Sequence, residues 1–509
     1  MQKLGMVSLG CPKNAVDTEL VLGDLQGDEY EITSDQKEAD VIIVNTCGFI
    51  ESSKKESIDA ILEMAALKTD GKCKKLVVTG CLSERYSDEL LKEIPEIDHM
   101  LGVNQYPRLK QILKESDSQK ENTTINHVHE PAEYFESYMN RVLTTPFYSA
   151  YLKLGEGCSN KCAFCIIPKI RGQFRSRSPE SIIAEAEHFA QHGVKEFNLI
   201  SQDTTMYGVD LRMKNGLVQL LKSLSKINGI EWMRLFYCYP TFINSELIEY
   251  IASEEKVCNY VDVPLQHTHD FMLKRMKRQE TEKGVRSMID ELRTKVPGIA
   301  LRTTFITGFP GETDEDYHQQ IQLIKLLFHL PPPECVGDLW LERFSPYYTR
   351  PEEYGVAITG PGEAYSYVYD SEDIDLFRIA YDFEFTTKNE IDPGLKKELF
   401  DTAEEWKRRH QSDELPYLIF TKSMNFVTVY DDRSIGNPNK NRFEGPPAWT
   451  IVFCNESPKT MDQIKKHVQE LGAEEGAAEK GVLQLEKMGI LHGEKGKYLT
   501  LALPHNANL

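Results

Sequence analysis

Short apolar runs alternate with amphipathic stretches along the first hundred positions, the pattern of buried parallel strands separated by helices. The strand-like runs are Lys3–Leu9, Asp40–Thr46 and Lys75–Thr79, rich in Val, Ile and Leu. Helical stretches such as Val16–Leu25 and Ser57–Leu67 lie between them. This predicts a doubly wound α/β domain over residues 1–140. The alternation resumes further on. Ala150–Leu154, Glu196–Ile200, Met233–Phe236, Tyr260–Val263 and Ala300–Thr307 read as strands, and Pro179–His192 and Thr281–Thr294 as helices. Near the end, Thr460–Leu471 and Glu479–Met488 have helical amphipathic spacing, and 489–501 reads as a hairpin with a glycine turn.

Composition narrows the class. A chain of 509 residues is long enough for roughly two to four domains with ample core. Eleven cysteines, an odd number spread over the chain, argue against a secreted disulfide scaffold and for a reducing, cytoplasmic compartment. No apolar run is long enough to span a bilayer, so no membrane partner is expected. Ser8-Leu9-Gly10-Cys11 faintly echoes a lipoprotein cleavage site, but no apolar segment precedes it. The net charge of −20 disfavours a surface that coats nucleic acid, although a local basic patch is compatible with it.

The cysteines carry the chemistry. Cys158, Cys162 and Cys165 have the spacing C-x3-C-x2-C. Three thiolates this close can hold three irons of a 4Fe–4S cluster and leave the fourth open, whereas electron-transfer clusters have four cysteine ligands. The alternatives are zinc, which usually takes four ligands, or chance. A second set stands at the ends of the first three strand-like runs: Cys11, Cys47 and Cys81, 36 and 34 residues apart, with a glycine beside each. Parallel strands in a doubly wound domain end on one edge, so these three would converge there. The bland reading is three buried core cysteines. Cys73 lies off the pattern and reads as structural.

The C-x3-C-x2-C run, with Phe164 before its third cysteine, resembles the hallmark of radical S-adenosylmethionine (SAM) enzymes. Two tricysteinyl sites, the first in an α/β domain, are similar to the methylthiotransferases. Ser8-Leu9-Gly10-Cys11-Pro12-Lys13-Asn14, Asp17-Thr18-Glu19, Asn45-Thr46-Cys47-Gly48-Phe49-Ile50, Thr79-Gly80-Cys81-Leu82, Gln202-Asp203-Thr204-Thr205 and Pro264-Leu265-Gln266-His267 resemble the branch that modifies an aspartate of a small-subunit ribosomal protein. The match runs from about residue 3 to about residue 318. It implies two 4Fe–4S clusters held by Cys11, Cys47, Cys81 and by Cys158, Cys162, Cys165, with SAM as cosubstrate. One SAM would methylate a sulfur at the first site, and a second would yield the radical that abstracts a substrate hydrogen. The implied partners are a protein or peptide substrate, such as a small-subunit ribosomal protein, and an electron donor such as flavodoxin or ferredoxin.

The resemblance also implies a partial (β/α) radical SAM barrel over residues 144–350. Barrel sites form at strand carboxyl ends. Gln202 and Gln266 follow two such strands and are expected around SAM. Arg302 can meet the SAM carboxylate, or else an acid at the core edge. Phe305-Ile306-Thr307-Gly308-Phe309-Pro310-Gly311-Glu312 resembles a late-barrel motif near the adenine, which makes Glu312 a candidate; a plain Gly-Pro-Gly turn explains it equally. His267 receives no role, and no catalytic residue beyond the cluster ligands is assigned. Lys169, Arg171, Arg175 and Arg177 read either as a solvated basic face or as a docking site for an acidic segment or electron donor.

Residues 351–509 depart from the methylthiotransferase pattern, which normally ends in a small β-barrel. Leu330-Pro331-Pro332-Pro333 and Arg343-Phe344-Ser345-Pro346-Tyr347 resemble the tail of radical SAM enzymes that mature ribosomally made peptides, and a strand ending in Phe-Ser-Pro is available to close the barrel. An α+β region with a winged-helix-like end from about residue 460 is expected. The acidic stretch Glu470 to Glu479 and the few basic residues on the second helix disfavour DNA and leave a protein or peptide contact, or a structural cap. Two alternatives remain: a radical SAM maturase of a ribosomally made peptide, and a non-catalytic iron–sulfur protein.

Overall fold

A computed structural model of the chain describes residues 1–27, 29–118, 124–128, 138, 140–333, 339–343, 345–369, 374–388 and 390–505. The chain divides into two compact units, Met1–Phe305 and Ile306–Leu509.

The first unit contains two parallel sheets. Strands β1 (Gln2–Ser8), β2 (Tyr30–Thr33), β3 (Val41–Thr46), β4 (Lys75–Gly80), β5 (His99–Met100) and β6 (Ile125–Asn126) form one, in the order β2-β1-β3-β4-β5-β6. The sequence pattern marks β1, β3 and β4; the other three are too short or too polar to stand out. Every residue of β3, Val-Ile-Ile-Val-Asn-Thr, is buried because helices cover both faces. One face packs Val21, Leu22 and Leu25 of helix α1 (Pro12–Leu25). The other packs Ile61 and Met64 of α2 (Glu51–Asp70) and Leu82 and Leu90 of α3 (Cys81–Glu93). The chain switches direction between β1 and β3, where doubly wound folds open a crevice at the strand ends.

The second sheet follows chain order. It is built from β7 (Ser149–Lys153), β10 (Glu196–Ile200), β11 (Trp232–Leu235), β12 (Val257–Asp262) and β13 (Ala300–Arg302), all parallel, as an open part of a (β/α) barrel. A short antiparallel pair, β8 (Gly155–Glu156) and β9 (Arg175–Ser176), brackets the loop carrying Cys158, Cys162 and Cys165. The run expected as a strand over Ala300–Thr307 stops at Arg302; Thr304 continues only as an acceptor for the Gln266 N–H, at 2.8 Å. Arg141 ties the two halves of this unit together. Its guanidinium pairs with Glu19 of α1 at 2.6 Å and with Glu185 of the barrel helix Pro179–Gln191, and none of the three side chains is exposed.

The strands of the second unit pair antiparallel, except that Leu418–Lys422 and Leu503–Pro504 run parallel. Leu341–Glu342, Val356–Pro361 and Asp382–Thr387 form a three-stranded sheet. The expectation that a strand before Ser345-Pro346 closes the barrel is therefore corrected: Leu341–Glu342 pairs with Asp382–Thr387. Phe344 of that motif lies outside the described residues. Leu418–Lys422, Phe426–Asp431, Asn439–Glu444 and Leu503–Pro504 make a four-stranded sheet that the sequence pattern did not announce. Helices Met461–Glu470 and Ala477–Lys487 precede the hairpin Leu491–Glu494/Lys497–Thr500, the winged-helix-like arrangement expected. Ile464, Val468, Val482, Leu485 and Leu491 share one core with Leu418, Val429, Phe443 and Ile451. Truncation before Thr460 removes half of that core. It is expected to abolish cooperative melting of the second unit, read by circular dichroism and limited proteolysis. A truncated chain with an intact, protease-resistant 306–459 segment would show that the tail is an independent appendage.

Candidate active site

The three amino-terminal cysteines sit where the parallel strands end. Cys11 caps α1, Cys47 directly follows β3, and Cys81 is the first residue of α3. Two of the glycines between them are dictated by space. A Cβ on Gly10, which has φ +88°, would fall 2.7 Å from Cys47 Cβ. One on Gly80, φ +104°, would fall 2.4 Å from the Thr46 carbonyl oxygen. These close approaches bring the three chain segments together. Asn14 fastens them: its Nδ2 donates to the carbonyls of Leu9 at 3.0 Å and Thr46 at 2.8 Å. Ser57 Oγ exchanges 2.9 Å hydrogen bonds with the backbone N–H and C=O of Cys47.

Charge at this edge is arranged around Arg171, which is fully buried. Its guanidinium donates to Asp17 at 2.8 Å, to both Glu156 oxygens at 3.1 and 3.2 Å, to Asn14 Oδ1, and to Cys81 Sγ at 3.4 Å. Lys153, on β7, adds bonds to Asp17 at 2.6 Å and to Glu156. Burial would raise the Glu156 carboxyl, but Arg171 and Lys153 hold it well below the usual range. Burial likewise pushes the Cys81 thiol up to about 11 despite Arg171. At Cys11 burial acts in the same sense, but Lys13, Arg171 and the backbone N–H groups of Asn14 and Lys13 outweigh it and lower the thiol. Burial also draws the Lys13 ammonium down to about 8, against the pull of Cys11. The solvated-face reading of the basic run is thus corrected. Lys169 is exposed, but Arg171 is internal, and Arg177 is packed over Tyr138 and paired with Glu185 at 2.6 Å.

The second triad lies in the loop between β8 and β9. Cys158 N–H donates to Gly172 O at 3.0 Å, Cys165 N–H to Cys162 O at 3.2 Å, and Ala163 N–H to Met276 O at 2.9 Å. Asn160 of the same loop donates to Asp203 at the end of β10, at 2.7 Å. Tyr239 and Arg278 stand beside Cys162 and oppose the effect of burial on its thiol. Burial raises all three thiols, Cys158 to about 11 and Cys165 to about 12.

The residues expected around SAM are placed unevenly. Gln202 follows β10 and donates to Glu156 at 2.6 Å, and its Oε1 is buried with no partner among the described residues. Gln266 follows β12 in a left-handed conformation, φ +68°. Arg302 is half exposed on β13, 3.6 Å from Asp262. Glu312 belongs to the second unit, where its carboxylate accepts the Gly308 N–H at 2.8 Å. His267 Nδ1 accepts the His269 N–H at 3.0 Å, a turn contact. The sequence pattern missed Lys153, Glu156, Tyr237, Tyr239 and Arg278. The signal for the first was a lysine ending an apolar strand.

The donor sets suit clusters better than single ions. Among the described residues no three His, Cys, Asp or Glu side chains converge on one ion. A cubane takes one thiolate per iron and needs no such point of convergence. Cations stand beside each triad, Lys13 and Arg171 at the first and Arg278 at the second, to offset thiolate charge.

A family described as Uncharacterized protein family UPF0004 matches residues 3–102, and the Radical SAM superfamily matches residues 152–324. A ribosomal protein uS12 methylthiotransferase RimO from Geotalea uraniireducens is 48% identical over 324 residues, 64% of this chain and 72% of that protein. The protein of the same name from Clostridium botulinum is 54% identical over 325 residues, with the same shares. Among solved structures, the radical SAM methyltransferase TsrM from Kitasatospora setae has a TM-score of 0.56 at 15% identity, covering 80% of this chain and 89% of that one, a likeness of fold. No helix among the described residues is long and apolar enough to cross a membrane. With half of the aligned positions identical to these relatives over most of their length, the chain belongs to the radical SAM methylthiotransferase family.

Proposed function

We propose that this methylthiotransferase acts in the cytoplasm on ribosomal protein uS12, the substrate named for its relatives, adding a methylthio group to an aspartate side chain. The supporting observation is the pair of cysteine triads in one compact unit, bridged by Arg171 and the strand ends. Cys11, Cys47 and Cys81 would hold one 4Fe–4S cluster and Cys158, Cys162 and Cys165 the other. When bound, these clusters and SAM supply hydrogen abstraction at the second triad and the transferable sulfur at the first. Gln202, whose buried carbonyl oxygen has no partner among the described residues, and Gln266 would orient SAM at the barrel strand ends. Arg302 is exposed enough to swing from Asp262 to a carboxylate. An electron donor of the flavodoxin or ferredoxin class would reduce the second site.

Mass spectrometry of uS12 from cells with and without this chain tests the substrate; an unmodified uS12 in both would refute it. The division of labour has its own test. Replacing Cys11, Cys47 and Cys81 with Ala should abolish sulfur transfer yet retain measurable SAM cleavage to 5′-deoxyadenosine. Loss of that cleavage with the second site still iron-loaded would show that the sites are not separable.

A further inference from the structure

Two stretches of this acidic chain hold no acid at all. The 79 aspartates and glutamates leave 157–179 and 271–279 empty, while Lys or Arg stands at nine positions there. The first stretch is the loop of the second triad and the run after it. The second is most of the helix Asp270–Arg275 and the turn that ends it. The two meet directly, through Ala163 N–H donating to Met276 O at 2.9 Å. Lys161 lies two positions before that contact, and Lys277 one position after it. Lys161 and Lys274 are exposed, and Arg275 and Lys277 are half-buried. Cys162 sits between Lys161 and the tethered Ala163, and it is only partly buried, unlike Cys158.

Part of this charge has internal work. Arg171 and Arg177 are paired within the unit, and Arg278 is buried on Glu280, with a further bond to Pro264 O at 3.0 Å. Lys274 and Arg275 also suit the carboxyl end of a helix. Lys161 and Lys277 lie outside any helix, so the helix dipole does not account for them. The acids that border the patch are held elsewhere. Asp270, at the far end of the helix, accepts the Glu282 N–H at 2.6 Å; Glu282 pairs with Arg286 at 3.0 Å; and Glu280 is buried. A net charge of −20 repels an acidic protein over most of the surface, and a local basic patch reverses that beside the second triad.

We infer that Lys161, Lys274, Arg275 and Lys277 form the docking surface for an acidic one-electron carrier that reduces the second site. This surface has a use only if the second triad holds a cluster, as the methylthiotransferase reading requires. The carrier loses one electron and the oxidised site gains it; no proton or bond moves in that step. The probe is an acidic flavodoxin. Its binding to the reconstituted holoenzyme is measured by calorimetry and its electron delivery by stopped-flow absorbance, both against ionic strength. Wild-type binding should weaken as salt rises. Lys161→Glu, Lys274→Glu and Lys277→Glu together should slow electron delivery about ten- to a hundredfold at low salt. Iron content and dithionite-driven SAM cleavage should stay at wild-type levels. Gln at the same three positions should give a smaller loss in the same sense, and it keeps the test decisive if charge reversal disturbs iron loading. Lys55→Glu, Lys92→Glu and Lys226→Glu together, at exposed positions elsewhere in the unit, make the same change in net charge and should cost little. Equal losses in the two charge-reversed proteins would assign the effect to net charge and overturn the inference. So would an unchanged rate, or a wild type that flavodoxin neither binds nor reduces. A patch variant that keeps flavodoxin but loses uS12 would give the surface to the substrate and overturn it too. Absence of SAM cleavage in wild type even with dithionite would sink the radical SAM chemistry instead; flavodoxin binding, which needs no turnover, would still decide the surface.

Discussion

Replacing Cys158, Cys162 and Cys165 together with Ala is expected to halve the iron of the anaerobically reconstituted protein, from about eight to about four atoms per chain, and to abolish SAM cleavage. The loop that carries them does not depend on the thiols for its shape. It is anchored by Cys158 N–H to Gly172, Ala163 N–H to Met276, and Asn160 to Asp203, all of which an alanine variant keeps. The four remaining irons would belong to Cys11, Cys47 and Cys81, whose anchors are Asn14, Ser57 and the close contacts of Gly10 and Gly80. Iron and sulfide analysis, with electron paramagnetic resonance of the reduced protein, reads both outcomes. A wild-type content near four would remove the amino-terminal assignment. A triple variant still near eight would show that the second triad holds no cluster.

Much of this arrangement is visible in the sequence because it depends on local pattern. A contiguous Val-Ile-Ile-Val run is a central parallel strand, and a cysteine within three residues of the end of three such strands lands on one sheet edge. The C-x3-C-x2-C spacing is likewise a local property. What the pattern does not carry is long-range charge pairing. Arg171 reads in sequence as one of four basic residues on a surface, yet its partners are Asn14, Asp17, Cys81 and Glu156, up to 157 positions away. Two clues were present. Asp17, Thr18 and Glu19 interrupt the apolar face of α1, and Lys153 ends an otherwise apolar strand; all four are buried. Charged residues at core positions require partners, and those partners must come from elsewhere in the chain. The tail was less legible where strands such as Asn439–Glu444 are polar edge strands whose pairing is set by neighbours.

Two substitutions in that basic run should have opposite outcomes. Arg171→Met is expected to destabilise the first unit by about 3–5 kcal/mol, the usual consequence of removing one partner from a buried ionic group. The methionine fills much of the volume but leaves Lys153 as the one cation paired with Asp17 and Glu156 among the described residues, and Asn14 Oδ1 without a strong donor. Lys169→Ala, two positions earlier and exposed, should stay within about 0.5 kcal/mol of wild type. Adding Glu156→Gln to Arg171→Met should restore part of the loss, because it removes the carboxylate charge that Lys153 alone cannot offset. The measurement is urea unfolding of the iron-free chain under reducing conditions, following the transition of the first unit. A solvated basic face predicts two near-silent variants and no coupling with Glu156. Equal, small effects at positions 169 and 171 would therefore return Arg171 to the surface and dissolve the link between the cysteine-bearing edge of the first sheet and the strand ends of the second.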